Sequence, residues 1–145
     1  MSQDIWTFQE DLSRRLLAWS RASLLASAVM GRLGNTFWQG VGGQTVGWAL
    51  INGAIALIGR RSTRARRAKL ADPDDAAIVE KERAKLRRIL LVNTGLDVFY
   101  VAGGAALAAT KGKDDDQWRG HGVGIISQGL FLFFFDLIMA RRVKG

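Results

Sequence analysis

Charge is almost missing from three long stretches of this chain. Residues 36–59 carry none, residues 89–110 carry only Asp97, and residues 122–140 carry only Asp136. A soluble helix of such length keeps a polar stripe for water, whereas about 20 mainly apolar residues are what a helix needs to cross a hydrocarbon core of roughly 30 Å. A fourth run, 16–33, is weaker because Arg21 interrupts it. The pattern predicts an all-α integral membrane four-helix bundle in a single domain spanning 1–145. Its transmembrane helices fall at 16–33, 36–59, 89–110 and 122–140, with a basic cytoplasmic loop and helical extension at 60–88 and an outer loop at 111–121. Ahead of the first crossing, Ile5, Phe8, Leu12, Leu16 and Trp19 recur at helical intervals, and Thr7 and Glu10 have capping-box spacing. These predict an interfacial helix at 4–15 running into the first crossing.

Finer signals refine the elements. Asp72 followed by Pro73, Asp74 and Asp75 predicts the start of the third helix, with Asp72 as N-cap and Pro73 in the first helical position. No breaker follows before the membrane, so this helix is expected to extend ten to fifteen residues into the cytoplasm. In the second crossing Gly43 and Gly47 are four apart, and Ala49 and Gly53 repeat the interval. Small residues at that spacing let helix backbones approach closely in lipid. The fourth crossing carries Phe131, Phe133, Phe134 and Phe135 all around its axis, so part of that cluster must face lipid or a partner. Ser13-Arg14-Arg15-Leu16-Leu17 before Ala26-Ser27-Ala28 has the look of a twin-arginine export signal. Arg21 breaks its apolar region, and the segment is read as an uncleaved first crossing.

Composition alone, 48% apolar and 23% charged, would pass for a soluble protein; the placement of charge changes that picture. Residues 60–88 hold eleven Lys or Arg against five acids, Arg14 and Arg15 precede the first run, and Arg141, Arg142 and Lys144 follow the last. With four crossings all three clusters share one side, which predicts cytoplasmic N and C termini and a multi-pass protein of the cell inner membrane. The net charge of +8 is thereby assigned to topology and to anionic headgroups, with Arg60, Arg61, Arg64, Arg66 and Arg67 as the expected lipid contacts, and not to nucleic acid. Cysteine is absent, which excludes disulfides, thiolate metal sites and cysteine catalysis.

Candidate chemistry lies inside the bilayer. Counted from the basic anchors, Arg21, Asn93 and Asp136 lie five or six residues into their crossings, roughly 7 to 9 Å deep, and Asn52 and Asp97 lie about one turn further. Asn93, Asp97 and Tyr100 share a helical face, and Gln44 and Gln128 extend polar character into the outer half. Ionisable groups at such depth face the bundle interior and pair. The expectation is a buried polar cluster of Arg21, Asn52, Asn93, Asp97, Tyr100, Gln128 and Asp136, with Arg21 paired to Asp97 or Asp136. One arginine cannot neutralise two carboxylates, so the cluster reads either as a lock on helix register or as a proton relay. His121, the only histidine, invites comparison with an axial ligand to haem or chlorin. It lacks a second histidine, and no cofactor is expected. Asp114, Asp115 and Asp116 lack the alternating spacing of a calcium loop, and no metal site is expected. No phosphate loop and no Ser/His/Asp set is present, so the chain reads as non-enzymatic.

The two halves echo each other. Arg14-Arg15-Leu16-Leu17 matches Arg87-Arg88-Ile89-Leu90, and Trp38-Gln39-Gly40 matches Trp118-Arg119-Gly120. These echoes fit a parallel two-helix internal repeat, and equally two hairpins that obey the same bilayer rules. The stretches NTGLDVFYVAGG at 93–104 and RGHGVGIISQGLFLFFFD at 119–136 resemble a family of small bacterial multi-spanning membrane proteins of unassigned function. The resemblance covers the second half only and implies a shared core of Asn93, Asp97, Tyr100, Gly120, Gly122, Gln128 and Asp136, with no activity attached. The expected function is that of an accessory or scaffolding subunit of a larger membrane complex, contacting other membrane proteins or copies of itself. The alternative is a small proton- or ion-coupled transporter built from parallel repeats and acting as an oligomer.

Overall fold

A computed structural model describes residues 4–143. Regular structure among them is entirely helical: α1 (Ile5–Arg32), α2 (Thr36–Ala68), α3 (Ala76–Ala109), a 3-10 turn (Lys111–Lys113) and α4 (Asp116–Arg142). Lys144 lies outside the described residues. Each α-helix starts on a short polar side chain that satisfies otherwise orphaned backbone N–H groups: Asp4 for α1, Asn35 for α2, Asp75 for α3 and Asp115 for α4. α1 is one continuous helix capped by Asp4, which accepts from Trp6 N, Thr7 N and Thr7 Oγ1. The Thr7–Glu10 box is therefore not the cap. α1 ends at Gly34, which takes a left-handed φ of 75°.

Three of these helices, α2, α3 and α4, are long and apolar enough to cross a membrane. α2 and α3 have 33 and 34 residues, about 50 Å each, and so exceed the roughly 30 Å hydrocarbon core. The surplus lies at the end where α2 stops and α3 starts. Helix α2 continues through residues 60–68, so the true loop is only 69–75. α3 begins three residues after the expected start, because Asp72 spends its carboxylate on a tight turn to Asp74 N and Asp75 caps Ala77 and Ile78 instead. The Pro73 carbonyl accepts a 2.9 Å hydrogen bond from Trp6 Nε1, and the Trp6 ring is 1% exposed, so the start of α1 is clamped onto this loop.

Above the loop, Thr63 donates to Gln9 Oε1 (2.8 Å), Gln9 Nε2 donates to Glu82 (3.3 Å), and Arg66 reaches both Gln9 and Glu82. Arg66 therefore ties α1, α2 and α3 together. Arg64 is bound to the carboxylate of Glu10 at 2.8 Å, which holds that carboxyl below its ordinary value. Arg60, Arg61 and Arg67 are exposed as expected. Phe8, Leu90, Met139, Ala140 and Val143 close the same end with an apolar cluster.

Helices α1 and α2 form one antiparallel hairpin, α3 and α4 another, and α2 and α4 join them at the centre. Glycine permits the central contact. A Cβ on Gly40 would overlap the Gln117 carbonyl oxygen, and one on Gly120 would overlap that of Phe37. The contact is reciprocal, since residues 37, 40 and 41 meet 120, 117 and 121 at matching positions. Gly104 and Gly122 do the same for α3 and α4, each Cβ position lying 2.8 Å or less from the other's carbonyl oxygen. Ala49 and Gly53 serve α1 against α2: Ala49 is fully buried, and a Cβ on Gly53 would sit 2.8 Å from Ser20 Oγ. The Gly43–Gly47 pair does not act this way. Gly47 meets nothing within 4 Å, and Gly43 only the His121 ring edge at 3.6 Å, an ordinary contact with room for a Cβ.

Candidate functional site

At the level where α2 and α3 flank α4 without packing closely on each other, a cavity of about 150 Å³ opens between them. Its wall includes Asn52 and Trp48 from α2, Asn93, Asp97 and Tyr100 from α3, and Asp136 from α4, with Leu16 and Leu132 beneath. Helical periodicity explains the convergence. Trp48 and Asn52 are one turn apart on α2, Asn93, Asp97 and Tyr100 form a stripe on α3, and Asp136 is one turn beyond Leu132 on α4. Ile51, Ile55 and Leu96, which line the mouth, are exposed, so the cavity opens sideways at the apolar surface of the bundle.

Asn52, Asp97 and Asp136 are only 3%, 3% and 7% exposed. Asp97 is near enough to Asp136 for the two carboxyl groups to feel one another, and Asn93 lines the same cavity beside them. Asn52 Nδ2 and Asp97 Oδ2, one donor and one acceptor, are both buried and find no hydrogen-bond partner among the described residues. A buried polar group without a partner costs about 1 to 3 kcal/mol, so two beside one cavity single it out as the candidate site. Among the described residues no Lys or Arg lines the cavity. Tyr100 borders it with its ring edge-on to Trp48 (centroids 5.0 Å) and remains 41% exposed. Trp48 was missed in the sequence reading, although its one-turn offset from Asn52 was a usable signal.

Two residues expected in the cluster lie elsewhere. Arg21 is exposed and lines a separate cleft between α1 and α2 together with Arg14 and Arg60. Its neighbour Ser20 takes the inward position instead, donating to the Ala49 carbonyl at 2.5 Å, and successive helical residues point about 100° apart. Gln128 is buried two turns before Asp136, where it accepts from Trp19 Nε1 (3.0 Å) and reaches Ser23 Oγ (3.5 Å). It ties α1 to α4, helped by Trp19 stacking on Phe131 with centroids 3.6 Å apart.

At the opposite end of α4, His121 Nδ1 is 3.3 Å from Gln44 Nε2 and its ring leans on Trp118. Asp115 caps α4 and Asp116 pairs with Arg119 at 2.7 Å, so two of the three adjacent carboxylates have local structural roles. Among the described residues no group of three or more His, Asp or Glu side chains is placed to hold a metal ion.

The arrangement offers two carboxyl groups, two carboxamides and a phenol to whatever enters from the apolar side. It can accept hydrogen bonds from a donor or cation and return one from Asn52. No curated protein and no solved structure matches the chain. A family model does, over residues 15–137, and the chain belongs to that family, the family of unknown function DUF6992.

Proposed function

We propose that this protein is a non-enzymatic accessory subunit of a larger membrane assembly, and that the opening between α2 and α3 receives a transmembrane helix of a partner subunit. In this reading α1 is a fourth crossing, both termini are cytoplasmic, and the protein resides in the cell inner membrane, with Arg60, Arg61 and Arg67 toward anionic headgroups. The observation that carries it is the pair of buried, unpartnered atoms, Asn52 Nδ2 and Asp97 Oδ2, at a cavity open to the apolar face. A polar side chain on a neighbouring helix can satisfy such groups within lipid. The reciprocal meeting of Gly40 and Gly120 supports reading the two halves as a parallel repeat, whose central seam leaves the outer faces free.

Purification of the full chain from its native host in a mild detergent tests this. Recovery with a second membrane protein in fixed ratio, reduced by Asp97→Leu, is the predicted result; recovery only as a lone monomer contradicts it. A second reading, proton-coupled transport, is favoured by the two neighbouring carboxyl groups, with no basic side chain on the cavity wall among the described residues. It predicts a proton flux in liposomes that Asp97→Asn abolishes.

A further inference from the structure

The three arginines on the α1–α2 side form an arrangement of their own. Arg14, Leu17, Ala18 and Arg21 follow one another at helical intervals on α1, and Ala56, Leu57 and Arg60 face them from α2. Together with Glu10 and Ser13 they enclose a cleft of about 340 Å³, inside the roughly 300 to 1,000 Å³ range of ligand sites. Ala18 and Ala56 keep its floor low, while Leu57 is 55% exposed at its rim.

The charges are poorly matched from within. Glu10 is taken by Arg64 at 2.8 Å, and Arg14 is paired with Asp11, whereas neither Arg21 nor Arg60 forms an ion pair among the described residues. Arg21 lies seven residues beyond Arg14, about 10 Å further along the axis toward the bilayer interior. A guanidinium at that depth extends back toward the interface along its own alkyl stem, which aims it into this cleft beside Arg60. An anion that reaches Arg21 from the membrane side must carry an apolar body, and guanidinium forks match phosphate oxygens two at a time.

We propose that the cleft between α1 and α2 binds the phosphate headgroup of one anionic phospholipid, gripped by Arg21 and Arg60 with Arg14 at the rim, its acyl chains running along Leu17 and Leu57. This is a discrete site, distinct from the general attraction of a basic surface for anionic lipid, and it is independent of the partner helix proposed above.

The test uses the full chain in phosphatidylcholine nanodiscs or detergent, titrated with phosphatidylglycerol of the same acyl length and read by native mass spectrometry. One phosphatidylglycerol per chain should be retained in preference to phosphatidylcholine. Arg21→Gln with Arg60→Gln should weaken retention about tenfold, while Arg141→Gln with Arg142→Gln, which removes the same charge elsewhere, should change it less than about twofold. Arg21→Lys keeps the charge and the fold but not the fork; it should still lose severalfold, where diffuse attraction predicts no change. Equal losses from the two double variants, an unaffected Arg21→Lys protein, or displacement of the lipid by millimolar inorganic phosphate would each overturn the proposal.

Discussion

A single residue, Arg21, separates what depth along a helix reveals from what rotation about it decides. Counting from the basic anchors put Asn52, Asn93, Asp97 and Asp136 at neighbouring levels, and all four line one cavity. The same count put Arg21 at that level, but its side chain points to the other side of α1, into the cleft with Arg60. Level follows from the 1.5 Å rise; azimuth depends on which face of α1 packs on α2, and that is set by Ser20 against Ala49 and Gly53. A double-mutant cycle should therefore find Arg21 uncoupled from either carboxylate. Combining Arg21→Leu with Asp97→Leu or with Asp136→Leu is predicted to give a coupling below about 0.5 kcal/mol in detergent unfolding, the additive behaviour of separated sites. A coupling of about 3 kcal/mol or more would return Arg21 to the cluster as a buried ion-pair partner.

For whole helices the decisive residues are the glycines. The small-residue interval was read equally from Gly43 and Gly47 and from Ala49 and Gly53, yet only the second pair is pressed closely against a neighbouring helix. Spacing identifies a narrow helix face but not whether another helix lies against it. Gly40 and Gly120, legible as an echo between the halves and, for Gly120, in the resembling stretch, hold the tightest seam. Adding one methyl group should expose the difference. Gly120→Ala forces α2 and α4 apart and is expected to cost at least about 1 to 3 kcal/mol, the usual range for overpacking. Gly47→Ala, in open space, should be neutral or slightly stabilising through better helix propensity, by less than about 1 kcal/mol. Thermal unfolding of both variants in the same detergent measures the contrast; comparable losses would mean that the seam is misassigned.

At the scale of the molecule, four helices and their order were legible because charge segregation and capping residues are local signals. Helix α1 was the weakest run for the same reason: Arg21 and inward-facing serines dilute its apolar character, and its claim to cross rests on packing against α2. The continuity of α2 through Ala68, and the clamp of Trp6 on Pro73, were not legible, since both depend on contacts between residues more than fifty positions apart. The basic segment could be read as a loop only while α1 was unplaced; once Gln9, Thr63, Arg66 and Glu82 meet, it becomes a helical extension fixed to the bundle. What remains open is the flank between α2 and α3, and the proposed function turns on what covers it in the cell. Site-specific photocrosslinking in the native host addresses that directly, with a diazirine amino acid placed at Leu96, on the rim of the cavity, or at Leu25, on the exposed face of α1. The account predicts a discrete protein adduct from position 96 and none from position 25. Adducts to lipid alone at both positions, or the same protein adducts from each, would contradict it.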